Sequence, residues 1–237
     1  MLANGSKMIK GLQRTTLVDY PGKIACTIFI AGCNFRCGYC YNSDLVLRGK
    51  ALPDIPEEEI FDFLSQRDLF LEGVCISGGE PTLYRNLIPL IRKIKKMGYS
   101  VKLDTNGTNP RILKALLDEK LVDYVAMDIK TSLGSYKKVT YVNCAMGNVR
   151  ESIRLLKSSG IDYEFRTTIV PDMIGKDELR GICEEIKGAK NYFIQQFKPD
   201  GKAMDKKYGK MEPLPLKTLQ DFKDMASEYV QNAGIRA

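Results

Sequence analysis

Six short runs rich in Val, Ile, Phe and Tyr recur along the chain, separated by longer segments whose apolar residues follow helical spacing. This alternation is typical of repeated strand–helix units with parallel strands. Right-handed crossovers favour an α/β fold of the partial (β/α)6 TIM-like barrel type, with a flat doubly wound sheet as the competing architecture. The predicted strands are residues 24–30, 74–77, 100–104, 123–129, 162–170 and 192–197.

Histidine is absent from all 237 residues, which excludes Ser-His-Asp triads, Cys-His dyads and His-ligated zinc sites. Proton transfer would fall to carboxylates, lysine, tyrosine or thiols. The 36 Lys and Arg residues exceed the 29 Asp and Glu residues, for a formal charge of +7. Because the cations are scattered along the chain, we expect a solvated surface and no nucleic-acid partner.

No stretch approaches 18 consecutive apolar residues, and residues 1–10 lack the apolar segment of a signal peptide. These features predict a cytoplasmic protein with no membrane partner. Seven cysteines without an export signal favour metal or redox use of thiols over a disulfide framework.

Unusual polar residues follow the ends of five predicted strands. Loops converge at the carboxyl edge of a parallel sheet, so we expect one site there. The segments are GCNFRCGYC after the first strand, SGGEP (77–81), DTNG (104–107), MDIK (127–130) and QQFKP (195–199). The polar segment 200–210 is predicted to be a surface loop, with a lid as the alternative.

Three cysteines form the pattern C-x3-C-x2-C at Cys33, Cys37 and Cys40, immediately after an apolar strand. Three thiolates within eight residues can hold one iron–sulfur cluster, whereas a closed zinc site needs a fourth ligand, here a distant cysteine. A zinc-stabilised interaction module is therefore the non-enzymatic alternative. A cubane with three protein thiolates leaves one iron open to a substrate. The other four cysteines are expected to be structural.

The cysteine motif, Tyr39 before its last cysteine, and the Gly-Gly-Glu of residues 78–80 resemble the radical S-adenosylmethionine (SAM) superfamily. LVDYPGKIACTIFIAGCNFRCGYCYN (17–42), LDTNG, MDIK and RTTIVP (166–171) further resemble glycyl-radical-enzyme activating proteins, including those of anaerobic ribonucleotide reductase and pyruvate formate-lyase. The resemblance covers about residues 10–200. It implies a single radical SAM domain over 1–237, with a core at about 15–200 and a C-terminal helix at about 215–231.

The resemblance also implies a role for each motif. Cys33, Cys37 and Cys40 would hold a [4Fe-4S] cluster, which binds and reductively cleaves SAM. The expected SAM contacts are Tyr39 beside the adenine; Gly78, Gly79 and Glu80 at the methionine amino group; Asp104 and Thr105 near the carboxylate, in some relatives through a monovalent cation; Asp128 and Lys130 at the ribose hydroxyls and carboxylate; Arg166 at a carboxylate; and Gln196. Without the cysteine motif, 104–107 would be an ordinary turn, Asp128 and Lys130 a surface ion pair, and Arg166 a partner of Glu164.

The implied activity is abstraction of a hydrogen atom by a 5′-deoxyadenosyl radical, from a glycine of a partner glycyl radical enzyme. A flavodoxin- or ferredoxin-type protein would donate the electron. Two positions depart from the family: Tyr41 stands where activating enzymes commonly have His, and QQFKPDG (195–201) contains no His. These departures leave open a radical SAM enzyme acting on a small molecule or peptide, such as a relative of carboxy-deazaguanine synthase. Cys75 is the only cysteine between Cys40 and Gly78, so no auxiliary cluster is expected.

Overall fold

Eight strands form one sheet in the computed structural model, which describes residues 8–199 and 202–237. The strands are β1 (Ile9–Thr16), β2 (Ala25–Ile30), β3 (Gly73–Gly78), β4 (Ser100–Thr105), β5 (Tyr124–Asp128), β6 (Asp162–Ile169), β7 (Asn191–Gln196) and β8 (Asn232–Arg236). The helices are α1 (Ser43–Leu47), α2 (Glu57–Ser65), α3 (Leu87–Lys96), α4 (Pro110–Asp118), α5 (Tyr136–Thr140), α6 (Met146–Ser158), α7 (Lys176–Glu185) and α8 (Leu216–Ser227).

The strand order follows the chain from β1 to β8 without reversal. Strands β2 to β8 are parallel, and β1 pairs antiparallel with β2. A doubly wound sheet requires a reversal of strand order, so the competing flat architecture is wrong. Successive right-handed crossovers instead place the helices on one face and curl the sheet. The edges β1 and β8 remain unpaired with each other, which gives the predicted partial barrel.

All six predicted strands are present, as β2 to β7. Two flanking strands were missed, because β1 carries mainly partly buried or exposed residues and β8 is a short, partly buried strand that contains a glycine. The last helix, predicted over about 215–231, ends at Ser227. The chain then leaves the helix because its backbone bonds to the segment before β7, with Gly188 N donating to Tyr229 O and Gln231 N to Ala189 O.

The core lies between the helices and the outer face of the sheet. Leu87, Leu90, Ile91 and Ile94 of α3 are almost fully buried, as their helical spacing predicted. In α4, Pro110 occupies the first turn and the Asn109 side chain accepts a hydrogen bond from a backbone N–H of that turn. These packed helices fix the strand ends from which the polar loops emerge.

The predicted loop at 200–210 falls partly outside the described residues, since residues 200 and 201 are not among them. Residues Lys206–Lys210 form a 3-10 helix whose Tyr208 is buried. Residues 1–7 also lie outside the described part, and with them much of the segment predicted to contain no targeting signal. In the described chain, no helix is long and apolar enough to cross a membrane.

The C-terminal strand is tied to the barrel interior by a buried carboxylate. Arg236 of β8 donates from Nη1 and Nη2 to the two oxygens of Glu164, each at 2.6 Å. Tyr124 OH donates to Glu164 Oε2 at 2.6 Å, and the Glu164 side chain is fully buried. This arrangement neutralises the carboxylate. It anchors β8 through the Arg236 side chain as well as through the backbone pairing of β8 with β7.

We expect Arg236→Ala to lower the free energy of unfolding by about 2 kcal/mol, because it removes the cation that hydrogen-bonds both oxygens of a buried carboxylate. Urea denaturation measures this change. Arg180→Ala is the control, since Arg180 pairs with Asp177 at 3.4 Å on the exposed surface of α7. It should cost about 0.5 kcal/mol or less. Equal losses for the two variants would contradict the anchoring role of Arg236.

Candidate active site

The loop that follows β2, residues 31–42, carries the three-cysteine motif and is called here the cysteine loop. Hydrogen bonds fix it at the carboxyl edge of the sheet. Arg36 N donates to Thr140 O at 2.9 Å, and the Asn42 side chain donates to Gly78 O at 2.9 Å. The loop is therefore held from both sides, by α5 and by the end of β3.

Amide side chains connect Cys33 to the loop after β4. Asn106 Nδ2 donates to Asn34 Oδ1 at 2.8 Å, and Asn34 Nδ2 donates to Thr108 Oγ1 at 2.7 Å. The sulfur of Cys33 accepts from Phe35 N at 3.3 Å and lies 3.9 Å from Asn106 Nδ2. Asn106 lies within DTNG but was not predicted to have a role in the site, because asparagine is common in turns for local structural reasons.

A cavity of about 270 Å³ lies between the cysteine loop and the strand ends. All the predicted site residues line it except Glu80. The further lining residues, which were not among the predicted cluster ligands and SAM contacts, are Phe35, Tyr41, Asn42, Val46, Ser77, Asn106, Thr168, Gln195 and Met204. The five predicted loops therefore do converge on one place.

Cys33, Cys37 and Cys40 line this cavity together. Burial raises the pKa of Cys33 to about 11 and that of Cys37 to about 12, and it raises the pKa of Cys40 as well. The Lys130 charge opposes the shift at all three thiols. Metal ligation requires thiolates, so a cation at this position favours the ligating form.

The remaining cysteines lie elsewhere. Cys26, Cys75 and Cys183 are fully buried in the core, and Cys144 is partly buried in a loop. None of the four lines the cavity. Within residues 8–199 and 202–237, no three Cys, Asp or Glu side chains gather closely enough to hold a single metal ion. The three loop thiols surround a cavity instead, and this donor set suits a cluster that offers each thiolate its own iron.

The glycines at the end of β3 allow two backbones to approach closely. Gly78 has a φ of +121°, and Gly79 N donates to Ile30 O at 2.8 Å. A Cβ on Gly79 would lie 2.0 Å from Gly32 O, so a side chain is sterically excluded. The two glycines thus present bare backbone to the cavity, as the motif predicted.

Glu80 lies behind the cavity wall, fully buried. Its Oε1 accepts from Thr82 N at 3.1 Å and from Thr105 Oγ1 at 2.8 Å, while its Oε2 accepts from Asn106 N at 2.7 Å. Burial raises the pKa of Glu80, and these hydrogen bonds oppose that shift. In this structure Glu80 joins the loops after β3 and β4, so its contact with an amino group stays a prediction.

Four charged side chains meet at the floor of the cavity. Arg166 Nε donates to Asp128 Oδ1 at 2.9 Å, and Arg166 Nη2 lies 3.6 Å from Asp104 Oδ2. Lys130 Nζ donates to Asp128 Oδ2 at 3.0 Å. Asp128 and Lys130 therefore do form an ion pair, but in the cavity rather than on the open surface. Arg166 lies farther from Glu164, at 3.9 Å.

These contacts hold the floor in its ionised form. Burial alone would raise the pKa values of Asp104 and Asp128. The charge of Arg166, together with that of Lys102 at Asp104 and of Lys130 at Asp128, outweighs burial, and both pKa values are lowered. Burial likewise works against the charge on Lys130 and Arg166, yet the carboxylates raise both of their pKa values. The floor thus offers both signs of charge to a ligand at neutral pH.

Two residues of the barrel interior support this floor. Lys102, almost fully buried, donates to Asp104 Oδ1, and Ser77 Oγ donates to Asp104 Oδ2 at 3.0 Å. Lys102 was predicted only as part of the strand at 100–104, with no role in the site. Its alternation with Asp104 on the same face of β4 was the available signal, since two charges two residues apart in a buried strand need partners.

Two buried polar atoms in this region lack a partner among the described residues, the hydroxyl of Tyr39 and Oε1 of Gln196. Gln196 Nε2 donates to Leu214 O at 2.9 Å. Both side chains line the cavity. A buried unpaired donor and a buried unpaired acceptor are costly unless a ligand satisfies them.

The two positions that depart from the family pattern contact each other. The ring of Tyr41 stacks on that of Phe197 with centroids 6.4 Å apart, and Lys198 N donates to Tyr41 OH at 2.7 Å. Tyr41 thus connects the cysteine loop to the segment after β7. This contact is a structural use for both segments that needs no histidine.

The Radical SAM superfamily model matches residues 27–185, which include the cysteine loop and most of the cavity floor. The chain belongs to the radical SAM superfamily. It is 35% identical, over 97% of its length and 95% of the relative, to a Methanocaldococcus jannaschii protein assigned by its name to the glycyl-radical enzyme activating enzymes. It is 30% identical to the pyruvate formate-lyase-activating enzyme of Streptococcus mutans, over 87% of this chain and 76% of that one.

Solved structures show the same radical SAM fold. Streptococcus suis SuiB bound to SAM superposes with a TM-score of 0.62 at 15% identity, over 87% of this chain and 48% of SuiB. This chain therefore spans about half the length of SuiB. A domain of a pyruvate-formate lyase-activating enzyme from Bacteroides vulgatus gives a TM-score of 0.54 at 15% identity, over 70% of this chain and 99% of the domain. As a radical SAM enzyme, the protein uses a [4Fe-4S] cluster and SAM.

We expect Glu80→Gln to destabilise the metal-free protein by about 2 kcal/mol, because its amide would face N–H and O–H donors where a carboxylate now accepts. Urea denaturation under anaerobic conditions measures the change. The control is Glu58→Gln, on the exposed first turn of α2, which should lower the free energy of unfolding by about 0.3 kcal/mol. Unchanged stability of Glu80→Gln would show that Glu80 does not join the two loops.

Proposed function

We propose that this radical SAM enzyme activates a partner glycyl radical enzyme by abstracting a hydrogen atom from one of its glycines. The observation that carries the proposal is the similarity, over nearly the whole of both chains, to a relative named for that activity. The second relative, named for pyruvate formate-lyase activation, supports the same class.

Cys33, Cys37 and Cys40 would hold the cluster. They are the thiols that line the cavity, and Lys130 lowers the electrostatic cost of their ligating form. When bound, the cluster supplies the electron that cleaves SAM to methionine and a 5′-deoxyadenosyl radical. The protein itself positions SAM and excludes water from the radical.

The floor of the cavity fits a zwitterionic ligand such as the methionine part of SAM. The cations of Lys130 and Arg166 suit its carboxylate, while Asp104 and Asp128 suit its amino group or ribose hydroxyls. Thr105 lines the same wall but donates its hydroxyl to Glu80, so we assign it a positioning role.

The unpaired polar atoms suit the nucleoside part of SAM. Gln196 Oε1 can accept a hydrogen bond from an amino or hydroxyl group, and Tyr39 OH can donate one. Gly78 and Gly79 offer backbone groups without side chains in the way. Glu80 holds the loop that carries these glycines to the loop after β4, and its contact with the amino group stays a prediction.

The proposal includes a protein substrate and an electron-carrier protein of the flavodoxin or ferredoxin type, and it includes neither a nucleic-acid nor a membrane partner. We also propose a cytoplasmic location and a single domain over 1–237. The location is proposed because seven cysteines without a disulfide framework suit a reducing compartment. The alternative of a small-molecule or peptide substrate has less support, because the relatives matched over most of their length carry activating-enzyme names.

The test is anaerobic incubation of the reconstituted enzyme with SAM, dithionite and a glycyl radical enzyme from the same organism. Wild type should give a glycine-centred doublet in the EPR spectrum of the partner. Cys37→Ala removes one of the three cluster thiolates, so it should lower the radical yield at least about 100-fold and lose the bound iron.

Cys183→Ala is the matched control, since it removes a buried thiol of α7 that lies outside the cavity. It should retain both iron and radical formation. If wild type cleaves SAM but produces no glycyl radical, the activase assignment is wrong while the radical SAM assignment stands. If Cys37→Ala retains its iron, the ligand assignment is wrong.

A further inference from the structure

The outer side of the cysteine loop is covered by two tyrosines. A Cβ on Gly38 would lie 2.5 Å from the Tyr208 ring and 3.3 Å from the Tyr141 ring. Asp205 N donates to Gly38 O at 2.9 Å. The 3-10 helix Lys206–Lys210 and the end of α5 therefore meet over this one point of the loop.

Exposed cations surround this cover and form what we call the basic face. It consists of Arg36, Lys137, Lys138, Lys206, Lys207 and Lys210. The segments that form it, residues 33–42, 136–141 and 202–210, contain one carboxylate, that of Asp205. Asp205 Oδ2 lies 3.8 Å from Lys207 Nζ, so it offsets one of the six positive charges. The six cations and Asp205 together carry a net charge of +5, which favours an acidic partner.

An exposed aromatic side chain lies beside these cations. Tyr141 is 49% exposed and has a φ of +56°, a left-handed conformation that is uncommon for tyrosine. Lys207 Nζ lies 4.8 Å from the centroid of the Tyr208 ring. An exposed tyrosine amid lysines and arginine is the composition expected of a polar protein-binding surface.

The residues of the basic face lie outside the lining of the cavity. Gly38, Tyr141, Tyr208 and the six cations do not line the cavity, whereas the three motif cysteines do. Hydrogen abstraction needs contact between the substrate and the cavity. An electron needs only a short path through packed groups. The Tyr208 ring packs edge-on against the Tyr39 ring with centroids 6.2 Å apart, and Tyr39 lies between Cys37 and Cys40 in the sequence. An electron carrier could therefore dock on the basic face without entering the cavity.

We propose that the basic face binds the electron donor, an acidic one-electron carrier protein, beside the outer side of the cysteine loop. This inference rests on the proposed function, and it names the surface for one of its two protein partners. One electron leaves the reduced carrier and enters the oxidised cluster, so the carrier is oxidised by one electron and the cluster is reduced by one. No bond forms or breaks in this step.

The test uses the reconstituted enzyme and an acidic flavodoxin as the probe. Isothermal titration measures binding of the oxidised flavodoxin, and stopped-flow absorbance measures reduction of the cluster by the reduced form. At an ionic strength of about 20 mM, Lys137→Glu/Lys138→Glu should weaken binding and slow reduction at least about tenfold, with a smaller effect at about 300 mM.

The matched control is Lys96→Glu/Lys217→Glu, which makes the same change in net charge on exposed positions of α3 and α8. It should change both quantities less than about twofold. A loss equal to that of the Lys137/Lys138 variant would mean that net charge, and not the basic face, determines binding. That result, or wild-type behaviour of the Lys137/Lys138 variant, would overturn the proposal.

Dithionite separates this proposal from the proposed function. With dithionite as reductant, the Lys137/Lys138 variant should cleave SAM and form the glycyl radical at the wild-type rate, because the carrier is bypassed. If instead it reduces normally with flavodoxin but loses glycyl radical formation with dithionite, the basic face binds the glycyl radical enzyme, and the proposal is wrong. Absence of a glycyl radical in wild type would count against the proposed function alone.

Discussion

Arg166 lies between the carboxylates of Asp104 and Asp128 and so joins the ends of three neighbouring strands beneath the cavity. Each of these charges would be costly to bury alone, and the pairing makes the ionised form the stable one. Lys102 and Lys130 complete the set. The floor of the site is therefore a nearly neutral ionic network, and its geometry fixes where the loops above it begin.

Hydrogen bonds join the cysteine loop to the neighbouring loops at the strand ends. Asn42 reaches the end of β3, Asn34 reaches Asn106 and Thr108 after β4, and Glu80 holds the β3 and β4 loops together from behind. A loop with three ligating thiols must keep them in place before a cluster is present. The neighbouring loops supply that preorganisation.

Much of this arrangement could be predicted from the sequence. Apolar runs identified β2 to β7, and short motifs identified the cysteines and most of the cavity wall, because both are local patterns. Strands β1 and β8 could not be predicted because they lack a buried apolar run. The contacts of Glu164 with Tyr124 and Arg236 could not be predicted because those partners are 40 and 72 residues away. Glu80 shows the limit of a motif: its position was predicted, but its buried contacts required the structure.

In the proposed reaction, the radical formed in the cavity takes a hydrogen atom from a glycine of a protein partner. The most direct measurement is mass spectrometry of the 5′-deoxyadenosine produced when the partner glycyl radical enzyme carries glycine deuterated at Cα. The proposed reaction predicts one deuterium in the 5′-deoxyadenosine and the loss of one deuterium from a single glycine, in equal amounts. Unlabelled 5′-deoxyadenosine alongside intact deuterated glycine would contradict it.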